Sequence, residues 1–515
     1  MLVHEESGSL LLRVKRPEII SQVIPRHRLI DYEGHNVAVR FGLDEVKVLR
    51  NLGIPAPSPI LYRYRWPGRY TPWAHQKDTA AMLTLNRRAF VLNETGTAKS
   101  ASALWAADYL MNIGAVRKVL IAAKLSTLDR VWLEEIFNVL MHRSAVVLHA
   151  ARERRAELLA TDADFYIVNH EGVATLQKEL QARKDIDLVI VDEASEYRNS
   201  RTSRYDILQK LITPAQRLWL MTATPCPNAP TDAWALAKLV SPERVPKYFG
   251  AFQRATMMQV SQYKWVPRPE AYMTAYDAMQ PAVRYRKADC LDLPPVVTEE
   301  RSCELTREQR DAYDTMKAQF IMESASGIIT AVNAADKITK LRQILAGVVK
   351  NPETGEYAEL PHAPRVKVLL ECIAEAAAKV IVVVPFKGII SALERDVSPH
   401  YSCAVLNGDV SRKRRNDIIT AFKHAPDPHV LLCHPKVMAH GLNLTEADML
   451  VFYGPIYSND EAMQVVERFN RPGQTRKMAV IRIGALGLEW SIYGMLDGKR
   501  LTQESILDLY RHEIA

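Results

Sequence analysis

Short runs of apolar residues recur along most of the chain, each separated from the next by a segment long enough for a helix. A run of this kind is typical of a strand buried on both faces, and such strands with helices between them predict a parallel sheet. The pattern therefore predicts an α/β protein with two parallel-sheet lobes. The runs are KVLIAAK (118–124), DFYIVNH (164–170), DLVIVDE (187–193) and RLWLMTATP (217–225), then KVIVVVPF (379–386), CAVLNGD (403–409), HVLLCHP (429–435), MLVFYGP (449–455) and MAVIRIG (478–484).

The stretches outside these runs have other patterns. Near the N-terminus, three short strand-like runs and one short helical run predict a small α+β accessory domain. Helix formers dominate the stretch between the two groups of runs, which ends in the turn-like sequence NPETGEY. The predicted units are the accessory domain (1–68), lobe one (69–299, with a helical and hairpin excursion at about 245–280), a helical inter-lobe segment (300–354) and lobe two (355–515).

The segment LYRYRW (61–66) alternates with a period of two, which predicts a strand with Tyr62, Tyr64 and Trp66 on one face. Arg63 and Arg65 would then lie on the other face. Aromatic and guanidinium groups presented together are typical of a surface that binds nucleic acid. A half-buried strand with a solvated basic face gives the same pattern, and we favour this second interpretation because such strands are common.

The composition is that of a folded protein with more than one domain. Of the 515 residues, 48% are hydrophobic and 24% are charged, and a chain of this length exceeds what one hydrophobic core supports. The 67 basic and 59 acidic residues give a net charge of +8, which favours a polyanionic partner without requiring one. The six cysteines form no C-x-x-C pair, and we find neither a signal peptide nor a membrane-spanning run. We therefore expect a cytoplasmic protein that does not bind a membrane.

The stretch FVLNETGTAKSASALW (90–105) has the order strand, turn and helix, and it contains the lysine and serine of a phosphate-binding loop at Lys99 and Ser100. In such a loop, backbone N–H groups and a helix N-terminus converge on phosphate oxygens. The lysine adds charge at the terminal phosphates, and the hydroxyl ligates Mg²⁺. Only Gly96 is a glycine, because Asn93 and Ala98 occupy both glycine positions of G-x-x-x-x-G-K-[ST]. By itself the loop is a weak signal, since an ordinary helix start gives the same residues.

A second motif follows the strand in DLVIVDEAS (187–195), where Asp192 and Glu193 come at the carboxyl end. Open α/β sheets bind ligands at that edge. Asp192 would hold Mg²⁺, and Glu193 would polarise an attacking water molecule. Paired acids after a strand also cap the next helix. The presence of both motifs in the right order favours a nucleotide site over that alternative.

A third motif, QVVERFNRPGQ (464–474), lies in lobe two. On a helix Gln464, Arg468 and Arg471 are spaced i, i+4 and i+7 and share one face. Arginines presented from a facing lobe suit the charge that develops on a transferring phosphoryl group. A charged helix face is usually only solvated, so this interpretation depends on the other two motifs.

With these motifs in place, the chain resembles a Swi/Snf-type member of helicase superfamily two over roughly residues 69–500. The last segment matches Q-x-x-x-R-x-x-R-x-G-Q, a pattern that is highly specific to this family. The segments that carry the resemblance are RYTPWAHQ, NETGTAKS, LIAAKLSTLDRVWLEEI, DEASEYRN, LMTATPCPN, YRKADCLDLPP, HGLNLTEADMLVFYGP and QVVERFNRPGQTRK.

The resemblance implies two RecA-like lobes in tandem, with ATP and Mg²⁺ as cofactors and DNA as partner. It implies that Gln76 contacts adenine and that Thr222 and Thr224 couple the nucleotide site to DNA. Motifs and resemblance together give the nucleotide-binding residues Gln76, Glu94, Thr95, Gly96, Thr97, Ala98, Lys99, Ser100 and Gln464, the catalytic residues Lys99, Asp192, Glu193, Arg468 and Arg471, and the Mg²⁺ ligands Ser100 and Asp192.

The chain departs from the family pattern at a few positions. Asn93 replaces an aspartate, Ser195 replaces a histidine, and Met438 and Ala439 replace a double glycine. We expect the serine to weaken coupling between hydrolysis and DNA. Because the partner motifs persist, we interpret the loop around Ala98 as a working ATP site.

The leading functional hypothesis is a DNA-stimulated ATPase, expected to be a monomer, that moves on duplex, forked or branched DNA and remodels it. It is similar to compact phage and bacterial members of the family, and a phage-encoded protein would act in the host cytoplasm, at the nucleoid. Arg412, Lys413, Arg414 and Arg415 either contact DNA phosphates or form a solvated helix start. A second hypothesis makes a DNA-bound protein complex such as RNA polymerase the cargo, with residues 1–68 docking the protein. A catalytically inactive binding module is the third, and an RNA helicase is the least favoured.

Overall fold

Two parallel sheets, each covered by helices on both faces, make up most of the chain. The structure, a computed structural model, describes residues 1–508 except 262–264, 292–293, 326–330, 352–353, 439–443, 457, 471–473 and 475. Residues Met1–Cys290, with the described residues from Gln503 onward, form one unit, and Leu291–Thr502 form another. Within the described residues, no helix is both long enough and apolar enough to cross a bilayer.

The N-terminal residues form a four-stranded antiparallel sheet with strand order β1-β2-β4-β3. One face of this sheet packs against two short helices through a small core that includes Leu12, Val37 and Val46. The alternation is visible in β4, where Val37 and Val39 are buried and Ala38 between them is half-buried. The elements are β1 (Leu2–His4), β2 (Ser9–Leu12), α1 (Pro17–Val23), β3 (His27–Tyr32), β4 (His35–Arg40), α2 (Leu43–Asn51) and α3 (Ile60–Arg63).

The strand predicted for LYRYRW is wrong. Ile60–Arg63 form the one-turn helix α3, and the two tyrosines do not share a face, since Tyr62 is 45% exposed and Tyr64 is 9% exposed. The reason is tertiary: the Tyr64 hydroxyl donates to Asp108 at 2.6 Å, and the Trp66 ring packs edge-on against Trp105. The alternation in the sequence therefore arises from contacts with lobe one and not from a strand.

The accessory domain is continuous with lobe one. Leu43, Ile60 and Tyr64 belong to the same apolar cluster as Leu104 and Trp105 of lobe one. Residues 1–68 thus belong to the first unit, although their sheet and helices also have a small core of their own.

The sheet of lobe one has seven parallel strands in the order β13-β5-β10-β9-β6-β8-β7. Leu120 and Ala122 of one central strand belong to one apolar cluster, while Val119 and Ile121 of the same strand belong to another. Burial on both faces explains the continuous apolar runs in the sequence. The strands of this lobe are β5 (Arg88–Val91), β6 (Lys118–Ala123), β7 (Ala145–Val147), β8 (Phe165–Asn169), β9 (Ile186–Asp192), β10 (Arg217–Met221), the hairpin pair β11 (Met257–Gln259) and β12 (Trp265–Pro267), and β13 (Ala282–Val283).

The helices of lobe one cover both faces of this sheet, and α12 and α13 flank the β11–β12 hairpin in the predicted excursion. They are α4 (Ala74–Leu85), α5 (Lys99–Asn112), α6 (Glu134–Val139), α7 (Arg152–Ala160), α8 (His170–Thr175), α9 (Gln177–Ala182), α10 (Ser203–Leu211), α11 (Ala233–Val240), α12 (Phe249–Thr256), α13 (Ala271–Ala278) and α14 (Lys287–Cys290).

The second unit is built around six parallel strands in the order β14-β21-β20-β17-β19-β18. Its central strand is again buried on both faces, with Val380 and Val382 in one cluster and Ile381 and Val383 in another. The strands are β14 (Val296–Ser302), the hairpin pair β15 (Val348–Lys350) and β16 (Tyr357–Glu359), β17 (Lys379–Val383), β18 (Cys403–Leu406), β19 (Val430–Cys433), β20 (Ala447–Phe452) and β21 (Met478–Gly484). The helices are α15 (Arg307–Ala325), α16 (Ala331–Ala346), α17 (Ala363–Glu375), α18 (Lys387–Val397), α19 (Arg412–His424), α20 (Pro435–Met438), α21 (Asn459–Phe469) and α22 (Gly487–Asp508).

The predicted α/β class with two parallel-sheet lobes and a small N-terminal α+β domain is confirmed. The boundary between the lobes differs from the prediction, because β14 pairs with β21 over its whole length and belongs to the second sheet. Its sequence, VVTEERS, is mostly exposed and lacks the apolar run that marks a buried strand. For that reason the prediction placed residues 296–299 at the end of lobe one and residues 300–302 in the inter-lobe segment.

Candidate nucleotide site

Three motifs of the first unit meet at the carboxyl edge of its sheet. Strands β5, β10 and β9 are neighbours, and they are followed by the phosphate-loop candidate, by Thr222 and by Asp192, respectively. Because parallel strands present their carboxyl ends at one edge, the three segments lie side by side. This arrangement is the expected place for a ligand in an open α/β sheet.

The loop after β5 has the backbone shape of a phosphate cradle. Gly96 has φ 91° and Ala98 has φ 54°, so two residues adopt the left-handed region although only one of them is glycine. Ala98 ends the loop, and the 14-residue helix α5 begins at Lys99. A helix N-terminus directed at the loop favours an anion there.

The Lys99 ammonium lies over this loop, donating to the backbone carbonyl of Asn93 at 2.9 Å. Ser100 occupies the next helical position and is half-buried, as are Thr95 and Gly96. A cation above a loop with positive φ values, at a helix N-terminus, fits a bound triphosphate.

Residues from α4 hold the far side of the loop. His75 Nε2 lies 3.0 Å from the Thr97 carbonyl, and burial lowers the pKa of this histidine, so the neutral ring donates to the carbonyl. The Gln76 amide donates to the Ala98 carbonyl at 3.4 Å and accepts from the Trp73 N–H at 2.9 Å. Gln76 thus lies against the phosphate loop, where its predicted contact with adenine stays a prediction.

The residues at the start of the loop are engaged within the protein. Asn93 is fully buried, and its side chain donates to Thr79 Oγ1 at 2.9 Å. The Glu94 carboxylate pairs with Arg284 at 3.0 Å and accepts from the Lys287 N–H at 2.8 Å. Sequence reasoning missed both partners of Glu94, because they lie about 190 residues away in the chain.

The acidic pair sits at the end of β9. Glu193 has φ 51° and precedes a short 3₁₀ turn at Ala194–Tyr197. Its N–H donates to Asp192 Oδ1 at 3.0 Å, while the buried Trp132 indole donates to Asp192 Oδ2 at 3.1 Å. Asp192 is therefore held by two donors, and the Trp132 indole, from the segment LIAAKLSTLDRVWLEEI, orients its carboxylate.

Thr222 and Thr224 follow β10, between the loop and the acidic pair. The Thr222 N–H donates to the Val91 carbonyl at 3.0 Å, and the Thr224 N–H donates to Thr222 Oγ1 at 3.1 Å. Both threonines are buried. Their position next to both halves of the site suits the predicted coupling role.

Of the lobe-two motif, residues 464–469 lie on α21, which ends at Phe469. Ser458 caps the N-terminus of this helix by accepting from the Glu461 N–H at 3.3 Å. Gln464 is half-buried, and Arg468 is 7% exposed. Arg471 lies outside the described residues. The same is true of Ala439, one of the two residues that replace the family's double glycine. Lys99 and Arg468 belong to different units, so their joint action stays a prediction.

The donor set fits a hard divalent cation. Ser100 supplies a hydroxyl oxygen and Asp192 a carboxylate oxygen, and Mg²⁺ prefers oxygen ligands of these kinds. Mg²⁺ supplies charge neutralisation at the phosphates when bound. The assignment of both residues as ligands stays a prediction.

Comparison with known proteins gives the same order of domains. The SNF2-related domain matches residues 70–353, and the helicase conserved C-terminal domain matches residues 364–473. Protein p41 of Acyrthosiphon pisum secondary endosymbiont phage 1 is 23% identical over 467 residues, covering 86% of this chain and 99% of its own length. An uncharacterized ATP-dependent helicase of Mycoplasma genitalium is 22% identical over 396 residues, covering 76% of this chain but only 37% of its own length.

Among solved structures, the SWI2/SNF2 ATPase core of Sulfolobus solfataricus in complex with dsDNA is 20% identical, with a TM-score of 0.42, and covers 86% of this chain and 95% of its own. The family assignment depends on the domain matches, the first of which alone covers more than half of the chain. The chain therefore belongs to the SNF2-related family of helicase superfamily two, and it is an ATPase whose second lobe is a helicase C-terminal domain.

Proposed function

We propose that the protein hydrolyses ATP to move along duplex or branched DNA and remodel it. The observation that carries the proposal is the cradle at the carboxyl edge of the first sheet, where the loop that leads to Lys99 and α5 follows β5, and Asp192 and Glu193 come at the end of β9, with β10 between the two strands. Membership of the SNF2-related family supports ATP as the nucleotide. Both elements of the proposal, the nucleotide chemistry and the DNA substrate, are testable in one assay.

In the first unit, each residue has a distinct task. Lys99 and the backbone N–H groups after Gly96 bind the terminal phosphates. Asp192 and Ser100 hold Mg²⁺, and Trp132 keeps the carboxylate of Asp192 oriented through its 3.1 Å bond. Glu193, which follows Asp192 directly at the sheet edge, polarises the attacking water.

The second unit is proposed to complete the site. Arg468 and Arg471 supply positive charge to the transferring phosphoryl group, and Gln464 contacts the nucleotide. A guanidinium provides this charge in a planar fork that suits phosphate oxygens. Closure of the two lobes on ATP and opening after hydrolysis would then advance the motor along one strand.

DNA is the proposed partner because the chain carries a net charge of +8 and its second lobe is a helicase domain. Exposed Lys413 and Arg414, at the start of α19, are candidates for phosphate contacts. A protein that acts on bacterial or phage DNA would work in the bacterial cytoplasm, at the nucleoid.

The deciding experiment measures phosphate release by the full chain with no nucleic acid and with single-stranded, duplex, forked and four-way DNA and RNA. We expect duplex or branched DNA to stimulate hydrolysis. Lys99→Ala should reduce the stimulated rate by about two orders of magnitude or more, because it removes a charge that stabilises the transition state.

Lys210→Ala is a suitable control for that variant. Lys210 lies in the same unit, where it forms an exposed i,i+4 pair with Asp206, and its removal should leave the rate unchanged. Equal rates for wild type and Lys99→Ala in the presence of duplex DNA would refute the motor and leave the inactive binding module in its place.

A second candidate function, remodelling of a DNA-bound protein complex, is favoured by the free edge of the accessory domain. Strand β3 ends the sheet order β1-β2-β4-β3, and its Leu29 and Tyr32 are 67% and 46% exposed. An open strand edge with apolar side chains is typical of a surface that pairs with another protein. Displacement of stalled RNA polymerase from a duplex, compared with remodelling of naked branched DNA, separates the two functions.

A further inference from the structure

The phosphate loop has an unexpected neighbour, the segment that immediately precedes the second unit in the chain. We name residues 281–290 the connector, because the division between the two units follows directly at Cys290. Its strand β13 pairs in parallel with β5, the strand that leads into the loop. Beyond that pairing, the connector continues alongside the loop itself.

Backbone bonds tie the connector to the loop residue by residue. The Leu92 N–H donates to the Val283 carbonyl at 2.8 Å, and the Glu94 N–H donates to the Tyr285 carbonyl at 2.9 Å. In return the Tyr285 N–H donates to Asn93 Oδ1 at 3.0 Å. The ladder thus extends past the end of β5 into the loop.

Side chains complete the attachment at Glu94. The Arg284 side chain is 3% exposed and pairs with one oxygen of this carboxylate at 3.0 Å, while a second donor of the same guanidinium reaches the Leu92 carbonyl at 2.6 Å. The other carboxylate oxygen accepts from the Lys287 N–H at 2.8 Å. Because Lys287 is the first residue of α14, Glu94 joins the loop to the last helix before the second unit.

The loop side of this attachment includes the residue that Lys99 contacts. Lys99 Nζ donates to the Asn93 carbonyl, and a lysine that binds phosphate must give up or share this bond. Asn93 and Glu94 are the residues that the connector holds. A change in the bond from Lys99 to the Asn93 carbonyl therefore reaches the connector directly through Asn93 and Glu94.

We infer that the connector is a coupling element: Arg284 and the Lys287 N–H hold the phosphate loop through Glu94, so nucleotide binding at the loop changes the connector and is transmitted along it into the second unit. This inference depends on the proposed ATP site. Arg284 and Lys287 are positioning residues here, since they act through Glu94. A ligand can change a second segment only if it binds two conformations of the protein with different affinity. Here the two conformations differ in whether Lys99 donates to the Asn93 carbonyl or to phosphate.

The structure offers a matched pair of variants at Lys287. Lys287→Pro removes the N–H that Glu94 accepts, and proline is well tolerated at the first position of a helix. Lys287→Ala removes the same side chain but keeps the N–H. Any difference between the two variants therefore reports on the backbone bond.

The experiment is amide hydrogen exchange of the 281–290 region in the full chain, with and without the non-hydrolysable analogue AMP-PNP and Mg²⁺. Wild type and Lys287→Ala should exchange about tenfold more slowly with the analogue, within the range of ordinary allosteric coupling. Lys287→Pro should show less than about a twofold change, although its affinity for the analogue, measured by titration, remains close to that of wild type.

Two results would overturn the inference. One is that AMP-PNP slows amide exchange of residues 281–290 equally in Lys287→Pro and Lys287→Ala. The other is that wild type binds AMP-PNP but shows no slower exchange in these residues. If Lys287→Pro does not fold, Arg284→Lys tests the other carboxylate oxygen, and it should lose most of the protection without loss of analogue binding. The exchange and titration experiments are all carried out without DNA. A wild-type enzyme that DNA does not stimulate would contradict the proposed function in the separate phosphate-release assay, so the two failures are distinguishable.

Discussion

At the scale of single residues, the phosphate loop shows how one position can depart from a family pattern and keep its geometry. Glycine is usual where φ is positive, because a Cβ there approaches the following carbonyl. Ala98 nevertheless adopts φ 54° and ψ 51°. Contacts from His75, Gln76 and the connector to the loop hold this backbone in place.

Replacement of Ala98 by glycine should relieve that strain. The left-handed region costs an L-residue about 1–2 kcal/mol. Glycine removes this strain, but it also gives the unfolded chain more conformational entropy, which offsets part of the gain in stability. We expect Ala98→Gly to raise the free energy of unfolding by up to about 1 kcal/mol, measured by urea denaturation, and to retain ATP hydrolysis. Ala98→Val should lower it, because a β-branched residue is an outlier at positive φ. Equal stability of all three proteins would be incompatible with strain at this position.

At the scale of secondary-structure elements, the accessory domain is fastened to the helix that begins at the phosphate loop. Asp108 of α5 is fully buried, and it accepts from the Tyr64 hydroxyl at 2.6 Å and from Arg143 Nε at 2.6 Å. The Trp105 indole of the same helix donates to the Pro67 carbonyl at 2.9 Å. Burial raises the pKa of Tyr64, so its hydroxyl stays protonated and remains a donor.

Loss of this hydroxyl should weaken the first unit. Tyr64→Phe removes a buried donor to a carboxylate, and we expect the free energy of unfolding to fall by about 2 kcal/mol in urea denaturation. Tyr62→Phe is the matched control: this ring is 45% exposed, and the change should cost less than about 0.5 kcal/mol. If the two variants are equally stable, the Asp108 contact does not fasten the accessory domain.

At the scale of the whole molecule, the two units have separate cores. The first unit places Asp192 and Glu193 at the carboxyl edge of its sheet, while Gln464 and Arg468 of the second unit lie on α21. The connector is the chain segment that leaves the first unit for the second. The DNA translocase proposed above would hold DNA through the sugar–phosphate backbone, because movement along a duplex is incompatible with strong sequence preference.

Salt dependence tests that expectation directly. Neutralised phosphates release counterions on binding, so a protein with several phosphate contacts loses about 10³-fold or more in affinity between 50 and 200 mM salt. We expect a loss of that order for the full chain, with similar affinities for two duplexes of unrelated sequence, measured by fluorescence anisotropy. Affinity that is insensitive to salt, or confined to one sequence, would contradict a backbone-tracking motor.

The sequence by itself determined the two parallel sheets and the order of the motifs along them. Continuous apolar runs require burial on both faces, and the central strands β8, β9 and β10 consequently lie where the pattern predicted them. Asp192 and Glu193 likewise lie at the end of β9, and Lys99 begins the helix after the loop that follows β5, as the strand–turn–helix pattern predicted. These features depend on local patterns of side chains, which a single sequence displays.

Only the tertiary structure decided the features that depend on distant partners. Strand β14 is mostly polar and is defined by its pairing with β21, and Tyr64 leaves the predicted strand because Asp108 accepts its hydroxyl. The contacts of Glu94 with Arg284 and Lys287 bridge about 190 residues. Periodicity records which side chains are buried but not which residue buries them, and so these contacts become visible only in the folded chain.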